Sequence, residues 1–571
     1  MSRQLTIAGC VLLVLYLAMT AISFLFTPQF TGLARPTWGF FGIAIAAFVV
    51  SLFALKAVIR CPDDRRLLMG VLGFAVVFRL VLLMSHPIQE VDYYRYLWDG
   101  KVVSKGINPY QFSPQNVRNT HAATAPNTDL RHLATLAITS SEWQQILKRV
   151  HFGELTTVYP PVSQAVFGLA TILTPENARL GTRITIMKAV FVAFDLATCI
   201  LLMKLLSCVG VHRGFVVAYA WNPLVLKEIA NSGHLDSIAI CFCVASIWFI
   251  VRATQSAREL HPTEPRTTQL ALAAGFALAF AAGAKLFPIV LAPLCGWFLY
   301  RQTSTKATFT FVRTLLIGSA FLFTPWVLAP SPPEPAVTYD DNGDVFDSET
   351  VLATEPSKGI SEFLSRWKIN DFLFLIVYEN LNVPMVGAPI EAWFVVTSHD
   401  TRWSMGVWLS GITGLPLDLN TFMVARAVTG FLFIAVVAIV LHDKSGSPHE
   451  FLEGVFLTLA WFWLTLPTQN PWYWLWALPF IPFAKSRVWY AMSGLVFIYY
   501  LRFWCKDYWP ILPVFGTNYS GAHFFDFVIV WIEYAPWLLA LALSRYGGVL
   551  RSLYSSSQSA ENENDSSISA N

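Results

Sequence analysis

The residues best suited to chemistry lie together between positions 86 and 101. Carboxylates, cations and a row of aromatic residues follow each other there, directly after an apolar segment. The ionisable residues after His86 are Glu90, Asp92, Arg95, Asp99 and Lys101. A partly desolvated carboxylate gains basicity and suits a general base, while cations suit a phosphate. An interfacial belt of Tyr and Trp with solvated charges has the same composition, so the residue types alone leave both interpretations open.

Lys285 stands alone between the apolar runs 270–284 and 286–299. A lysine at membrane depth costs about 2.5–3.5 kcal/mol on insertion scales, which favours a functional role such as contact with a phosphate. The alternative is that Lys285 snorkels to the interface from the helix break at Pro288.

Two further polar pairs stand beside apolar segments. His234 and Asp236 lie on a predicted turn, where their spacing fits one wall of a sugar site, although Asp236 also fits the cap of the next helix. Asn370 and Asp371 follow Trp367 and suit sugar hydroxyls or a polar helix start. The residue types leave these alternatives open.

Composition restricts the fold class. The chain has 571 residues, of which 55% are hydrophobic and 13% charged, with a mean hydropathy of +0.52. A soluble domain carries roughly 25% charged residues, whereas apolar runs of about 20 residues, long enough to cross a bilayer, recur here. The sequence predicts an all-α polytopic membrane protein with about 12–14 transmembrane helices. The net charge of +3 gives no reason to expect a nucleic-acid partner.

The order of the apolar runs predicts the domain organisation. The predicted parts are N-terminal transmembrane helices (1–84), an exterior loop (85–160), a transmembrane core (161–329), a second exterior loop (330–416) with an acidic turn at 339–344, C-terminal transmembrane helices (417–551), and a disordered cytoplasmic tail (552–571). Within the first loop, Trp143, Ile146, Leu147 and Val150 form an apolar helical stripe. That stripe fits a helix in the membrane interface or a helix packed against the rest of the loop.

Basic residues in short loops predict the orientation, because such loops face the cytoplasm. The loop from Arg60 to Arg66 and the segment 252–266 place the N-terminus inside and residues 85–160 outside. Lys204 and Arg213 do not fit this alternation, so one crossing within 161–235 is miscounted or re-entrant. Proline interrupts several spans, for example at Pro223, and broken helices occur where protein or a cavity covers them.

Several motifs together resemble those of a known family. They are Asp92-Tyr-Tyr-Arg-Tyr-Leu-Trp-Asp-Gly100, Gly106-Ile-Asn-Pro-Tyr110, Val158-Tyr-Pro-Pro-Val-Ser-Gln164, Asp195, Trp221-Asn-Pro223, Gly233-His-Leu-Asp236, Ala284-Lys-Leu-Phe-Pro288, Trp367-Lys-Ile-Asn-Asp371 and Asn470-Pro-Trp-Tyr473. The first loop is the most specific, and the set covers about four fifths of the chain. It resembles bacterial GT-C glycosyltransferases related to glycosyltransferase family 87 and the polyprenol-phosphate-mannose-dependent mannosyltransferases.

The resemblance implies an inverting transferase that takes a hexose, in the first place mannose, from a polyprenyl-phosphate donor to a lipid or glycan acceptor. It implies a GT-C fold, a bacterial plasma membrane location and an active site facing outside. It also implies a base in the first exterior loop, where either Asp92 or Glu90 fits and Asp92 occupies the better-matching position. The candidate substrate-binding residues are Arg95, Trp98, Lys101, Tyr159, His234, Asp236, Lys285, Asn370 and Asp371. No cofactor is expected beyond the lipid-linked donor; no metal-ligand cluster is evident, and metal dependence is left open.

Two other functions compete with this hypothesis. A transporter or flippase of lipid-linked glycans would use the broken helices as its pathway, but it needs no acidic pair in an exterior loop and usually shows internal repeats. A ligase or polymerase of lipid-linked oligosaccharides would depend on exterior Arg and His in a late loop.

Overall fold

The computed structural model describes residues 2–27, 32–123, 125, 127–259, 264–329, 358–383, 390–510 and 514–544. Within these ranges the chain is helical and forms no β-strand beyond an isolated bridge between Ile369 and Thr468. The predicted acidic turn 339–344 and the predicted disordered tail 552–571 lie outside the described residues.

Long apolar helices form the body of the molecule. In the described ranges, nine helices are long and apolar enough to cross a membrane: Arg3–Phe26, Thr37–Val58, Arg65–Leu83, Leu180–Cys208, Asp236–Ala257, Glu264–Ala284, Thr305–Val327, Leu417–Asp443 and Gly521–Ser544. The prediction of an all-α polytopic membrane protein is confirmed.

Other apolar segments are short or broken into pieces. Their helical pieces are Arg213–Val216, Val217–Ala220, Pro223–Val225, Leu226–Asn231, Phe287–Leu291, Ala292–Gln302, Pro448–Thr465, Pro471–Trp474, Leu478–Phe483, Val488–Leu495, Val496–Tyr500 and Leu501–Tyr508. Proline explains most of these breaks, because it lacks the backbone N–H and clashes with the preceding turn. Nine long apolar helices are found in the described ranges, and the expected total of about 12–14 transmembrane helices stays a prediction.

The loop 85–160, predicted to be exterior, folds into four helices: Tyr93–Ser104, Pro114–Asn119, Thr128–Thr139 and Ser141–Arg149. We call the end of the bundle that carries them the loop end. Trp143, Ile146 and Leu147 are all buried, so the apolar stripe packs against the protein, as the second of the two predicted alternatives has it. Gly100 allows the first of these helices to approach the helix Pro161–Ile172, since a Cβ at Gly100 would lie 2.5 Å from the carbonyl oxygen of Phe167.

The structure also explains the irregular charge pattern between 161 and 235. The helix Pro161–Ile172 has 12 residues and is about 18 Å long, too short to cross. The helix Leu180–Cys208 begins at the loop end, where the Leu180 amide donates to Glu142, and its far end leads to Arg213, which pairs with Asp63. Arg213 therefore lies with the basic loop 60–66, as the positive-inside rule requires.

Three shorter helices complete the loop end in the second half of the chain. They are Lys358–Arg366, Leu373–Glu379 and His399–Thr413. The bridge between Ile369 and Thr468 joins the segment after the first of them to the turn before Pro471: the amide of Ile369 donates to Pro467 O over 3.0 Å, and that of Gln469 donates to Ile369 O over 2.9 Å. This pairing brings a late loop against the residues around Asp92.

Candidate active site

The segment that carries Glu90 and Asp92 is fixed to the bundle by its backbone. The ammonium of Lys188 donates to the carbonyls of Leu82 (2.9 Å) and Ser85 (2.8 Å). The side chain of Asn231 accepts from the amide of Ile88 at 3.1 Å and donates to the carbonyl of His86 at 2.8 Å. Gln89 follows with a φ of 50°, a conformation that costs energy for a residue with a Cβ. The segment is thereby held in one conformation up to the helix start at Tyr93.

Glu90 lies in a closed, paired environment. Its Oε1 accepts from the amides of Val91 (2.7 Å) and Asp92 (2.6 Å), and its Oε2 lies 3.0 Å from Nε2 of His234. The His234 ring stacks on Trp472 with centroids 4.2 Å apart. Burial alone would raise the pKa of Glu90, but the His234 charge and these hydrogen bonds hold it below its ordinary value. Glu90 is therefore an ionised, fully engaged carboxylate.

A second carboxylate, that of Glu228, also contacts His234. Oε2 of Glu228 lies 3.2 Å from Nε2 of His234 and 3.2 Å from the ammonium of Lys227, while Tyr500 donates to Oε1 of Glu228 over 2.5 Å. All four side chains are buried. We call Glu90, His234, Glu228, Lys227 and Tyr500 the paired wall. Nε2 of His234 therefore lies within 3.2 Å of two carboxylates.

The sequence reasoning missed Lys227 and Glu228. Two adjacent opposite charges inside the apolar segment 216–235 were the available signal, because ionisable residues at membrane depth are rare and mark functional regions. Gly233, next to them, has a φ of 77°, and a Cβ there would lie 2.9 Å from Cγ of Lys188. Glycine is therefore required to bring His234 against Glu90.

Asp92 differs from Glu90 in its partners. The hydroxyl of Tyr159 donates to Oδ2 of Asp92 over 3.3 Å. Within the described part of the chain, no cationic nitrogen lies within 4.0 Å of its carboxylate. Burial and the neighbouring charge of Glu90 raise the pKa of Asp92 above its ordinary value. The pair thus joins an ionised carboxylate to one with increased basicity.

Two cavities meet at Asp92. The larger, of about 880 Å³, has a basic lining that includes Arg35, Lys148, Arg149, Arg366 and Lys368. The smaller, of about 240 Å³, is lined by aromatic residues that include Phe287, Phe462, Tyr473 and Trp476, together with Lys285 and Arg426. We call them the basic cavity and the aromatic cavity. Asp92 belongs to the lining of both, as do Trp472 and Asn470.

Lys285 projects toward the aromatic cavity. Its ammonium lies 2.7 Å from Oδ1 of Asp236, 4.3 Å from the centroid of the Tyr473 ring and 5.4 Å from that of Trp476. The indole of Trp476 also donates to Oδ1 of Asp236, over 2.6 Å. The side chain of Lys285 is 17% exposed, so an aromatic cage and a carboxylate hold it at the cavity wall. Asp236 is the first residue of the helix Asp236–Ala257. Its carboxylate also forms the ion pair with Lys285.

The other predicted site residues do not all line the two cavities. Tyr159 and Arg95 line the aromatic cavity, although the guanidinium of Arg95 donates to the carbonyls of Phe152 and Leu155 at 2.9 and 3.1 Å. Trp98 and Lys101 line neither cavity. Lys101 lies 5.2 Å from the Trp143 ring centroid and 3.8 Å from Glu176.

Asn370 and Asp371 line a third cavity of about 540 Å³, which we call the polar cavity. Lys368 and Ile369 belong to the linings of both the polar and the basic cavity. Where the structure describes the chain, no group of three or more His, Cys, Asp or Glu side chains is arranged to hold a metal ion. Metal dependence stays an open prediction.

Comparison with known proteins gives two matches. A family model described as the N-terminal domain of alpha-(1->6)-mannopyranosyltransferase matches residues 16–301. GPI mannosyltransferase 1 of Saccharomyces cerevisiae is 26% identical over 141 residues, which is 24% of this chain and 31% of that protein. This chain therefore spans about a third of the length of that relative. No solved structure matches the chain. The family match contains Glu90, Asp92, His234, Asp236 and Lys285.

Proposed function

The chain belongs to the alpha-(1->6)-mannopyranosyltransferase family, and we propose that it transfers mannose with inversion from a polyprenyl-phosphate donor to a hydroxyl group of a glycan or lipid acceptor. It is a multi-pass membrane protein and a glycosyltransferase of the GT-C type. The observation that carries the proposal is the position of Asp92 in the common wall of two cavities. A transferase needs its base where two substrates meet.

Asp92 is the proposed general base. It faces both cavities and has increased basicity, whereas Glu90 is already engaged by His234 and two backbone amides. A base acts best when its pKa lies near the working pH, and pairs of carboxylates with divergent pKa values divide the roles between them. Glu90 is the positioning residue, because its fixed charge raises the pKa of Asp92.

The aromatic cavity is the proposed donor site. Its aromatic walls suit the sugar and the start of the lipid, and Lys285 and Arg426 supply positive charge for the phosphate. The acceptor oxygen attacks the anomeric carbon as its proton passes to Asp92. The bond from that carbon to the phosphate oxygen breaks, and its electrons leave with polyprenyl phosphate. Lys285 stabilises the charge that develops on the phosphate, and no acid is needed for a leaving group that departs as an anion.

The basic cavity is the proposed acceptor site, on the outer face of the membrane. Its orientation can be tested with cysteines at exposed positions at the two ends, Asn119→Cys in the first exterior loop and Arg66→Cys at the opposite end. In intact cells of a strain that also carries Cys10→Ser, an impermeant maleimide should label the first and should label the second after lysis alone. The reverse pattern would place the site on the inner face.

The decisive assay uses purified protein, an alkyl mannoside acceptor and polyprenyl-phosphate mannose in both anomeric forms. We take the product linkage to be α, as in the description of the family. Inversion to an α linkage requires a β-linked donor, so the β donor should give an α-linked disaccharide and the α donor should give no product. A β-linked product from the α donor would keep inversion but contradict the α assignment. An α-linked product from the α donor would contradict inversion, and absence of product with both donors would contradict the proposed transferase.

A further inference from the structure

The polar cavity lies beside the proposed acceptor site. It is bounded by the segment from Lys368 to Val383, by Asp418 at the start of the helix Leu417–Asp443, by Arg502, and by Asp526 in the last span. Its volume of about 540 Å³ falls within the roughly 300–1,000 Å³ typical of small-molecule sites. Lys368 and Ile369 line both cavities, so the polar and the basic cavity share one segment of their walls.

The charges in this cavity are largely paired with each other. Lys368 lies 2.9 Å from Glu379, and Arg502 donates to both oxygens of Asp526 over 3.0 and 3.1 Å. Since both of these cations are already neutralised by a carboxylate, the cavity does not attract an anion. Paired groups of this kind still offer free lone pairs and N–H donors to a neutral ligand that is rich in hydroxyl groups.

Asp371 has a buried carboxylate oxygen, Oδ2, in this cavity that lacks a hydrogen-bond partner within the described residues. The residue is 4% exposed. A buried polar atom without a partner costs about 1–3 kcal/mol, which a ligand hydroxyl would recover. Burial also raises the pKa of Asp371 to about 7, so near neutral pH this group can both donate to and accept from a hydroxyl.

We infer that the polar cavity binds a neutral saccharide unit of the acceptor, at least one unit away from the attacking hydroxyl. This inference rests on the proposed function, because it extends the acceptor from the basic cavity. Asp371 is the main hydrogen-bonding group, and the Arg502–Asp526 pair belongs to the same polar lining. The protein should therefore prefer an acceptor long enough to reach Asp371 over a single mannoside.

The first test compares octyl α-mannoside with its α-1,6-linked trisaccharide counterpart as acceptors for purified protein. Asp371→Asn preserves shape, so the ratio of kcat/KM for the long acceptor to that for the short one should fall at least about tenfold. Asp400→Asn is the matched control, because Asp400 is fully exposed and lines none of the three cavities. An unchanged ratio in Asp371→Asn, or an equal fall in the control, would overturn the inference.

A binding measurement separates failure of this inference from failure of the proposed function. Asn382 lines the polar cavity, so Asn382→Cys in a background with Cys10→Ser places a reactive thiol there. The octyl trisaccharide should slow its reaction with N-ethylmaleimide at least about fivefold, and octyl mannoside should slow it less. Equal protection by both, or protection by Mg²⁺ instead, would contradict a saccharide subsite. This experiment needs no transfer, so its outcome stands even if the purified protein gives no product.

Discussion

Glu90 and Asp92 are two residues apart in sequence, yet they lie in opposite kinds of surroundings. In the paired wall, each charge meets an opposite charge or a hydroxyl, and the side chains of Glu228, Lys227 and His234 are at most 1% exposed. At the junction of the two cavities, Asp92 has a hydrogen bond from Tyr159 but no ion pair within the described ranges. Both residues are of intermediate exposure; the difference lies in the partners.

This difference shows how one loop can supply both rigidity and reactivity. A buried charge with complete partners is expensive to change and fixes the backbone around it. A buried carboxylate without a cation keeps a high affinity for a proton and is free to take one from a substrate. The paired wall therefore holds the segment in place, and the negative charge of Glu90 increases the basicity of Asp92, which faces the cavities.

The largest expected effect is that of Asp92→Asn. The amide keeps the shape but removes the proton acceptor, so kcat should fall at least about a hundredfold, in line with the roughly 10²- to 10⁴-fold value of general-base catalysis. Glu90→Gln should lower kcat by about tenfold or less, because Gln can keep part of the contact with His234. Both are measured by steady-state kinetics with the polyprenyl-phosphate donor.

The opposite ranking would reassign the base. If Asp92→Asn stays active and Glu90→Gln is inactive, the open carboxylate is not the reactive one and Glu90 is the base. If both variants retain full transfer activity, neither carboxylate is the base and the proposed mechanism fails; the transporter hypothesis is favoured only if the unmodified protein gives no transfer. Donor binding by Asp92→Asn, measured separately, should be largely kept and provides the control for folding.

The next effect concerns Lys285, whose charge is partnered by Asp236 on one side and faces the cavity on the other. Lys285→Met should raise the donor KM or lower kcat by roughly tenfold or more, because the phosphate loses its cation. The single variant also leaves Asp236 buried without its partner, which is itself destabilising. The double variant Lys285→Met with Asp236→Asn should restore thermal stability without restoring activity. Recovery of activity in the double variant would show that Lys285 is structural.

Much of this arrangement could be predicted from the sequence where the signal is local. The spans follow from apolar runs of sufficient length. The charged residues at the end of a span indicate that the loop with Glu90 and Asp92 is functional. The base candidates remained two, because residue types at i and i+2 say nothing about which one finds a partner. That choice depends on His234, which is distant in sequence and reaches Glu90 through the turn at Gly233.

Other features depend on long-range packing and could not be read from the sequence. The guanidinium of Arg95 donates hydrogen bonds to the backbone carbonyls of Phe152 and Leu155. Lys101 lies beside the ring of Trp143. Both contacts join segments that are far apart in the chain. Asp236 fits a helix cap locally, but its partner Lys285 comes from a different crossing. The short helix Pro161–Ile172 is apolar enough to suggest a span, but the structure ends it after 12 residues, which is too short to cross.

The pH dependence tests the raised pKa of Asp92. Burial and the charge of Glu90 raise that pKa to about 7, whereas an ordinary aspartate has a pKa near 3.9. The base must be deprotonated to act, so kcat/KM should rise with pH and level off above about 7. Below that value it should fall about tenfold per pH unit. A profile that stays flat down to about pH 5 would show that Asp92 is not the titrating base.

The smallest expected effect is that of Tyr159→Phe, which removes the hydrogen bond to Oδ2 of Asp92. This bond favours the ionised carboxylate and lowers its pKa, so its loss should raise the pKa and move the acid limb of the kcat/KM profile to higher pH. Activity should fall about threefold or more near pH 6 and approach the wild-type value at pH 9, where Asp92 is ionised in both proteins. A uniform loss at all pH values would instead assign Tyr159 to packing in the aromatic cavity. Tyr110→Phe is the matched control, because its hydroxyl donates to the carbonyl of Tyr159 and does not contact Asp92. That variant should leave the acid limb where it is.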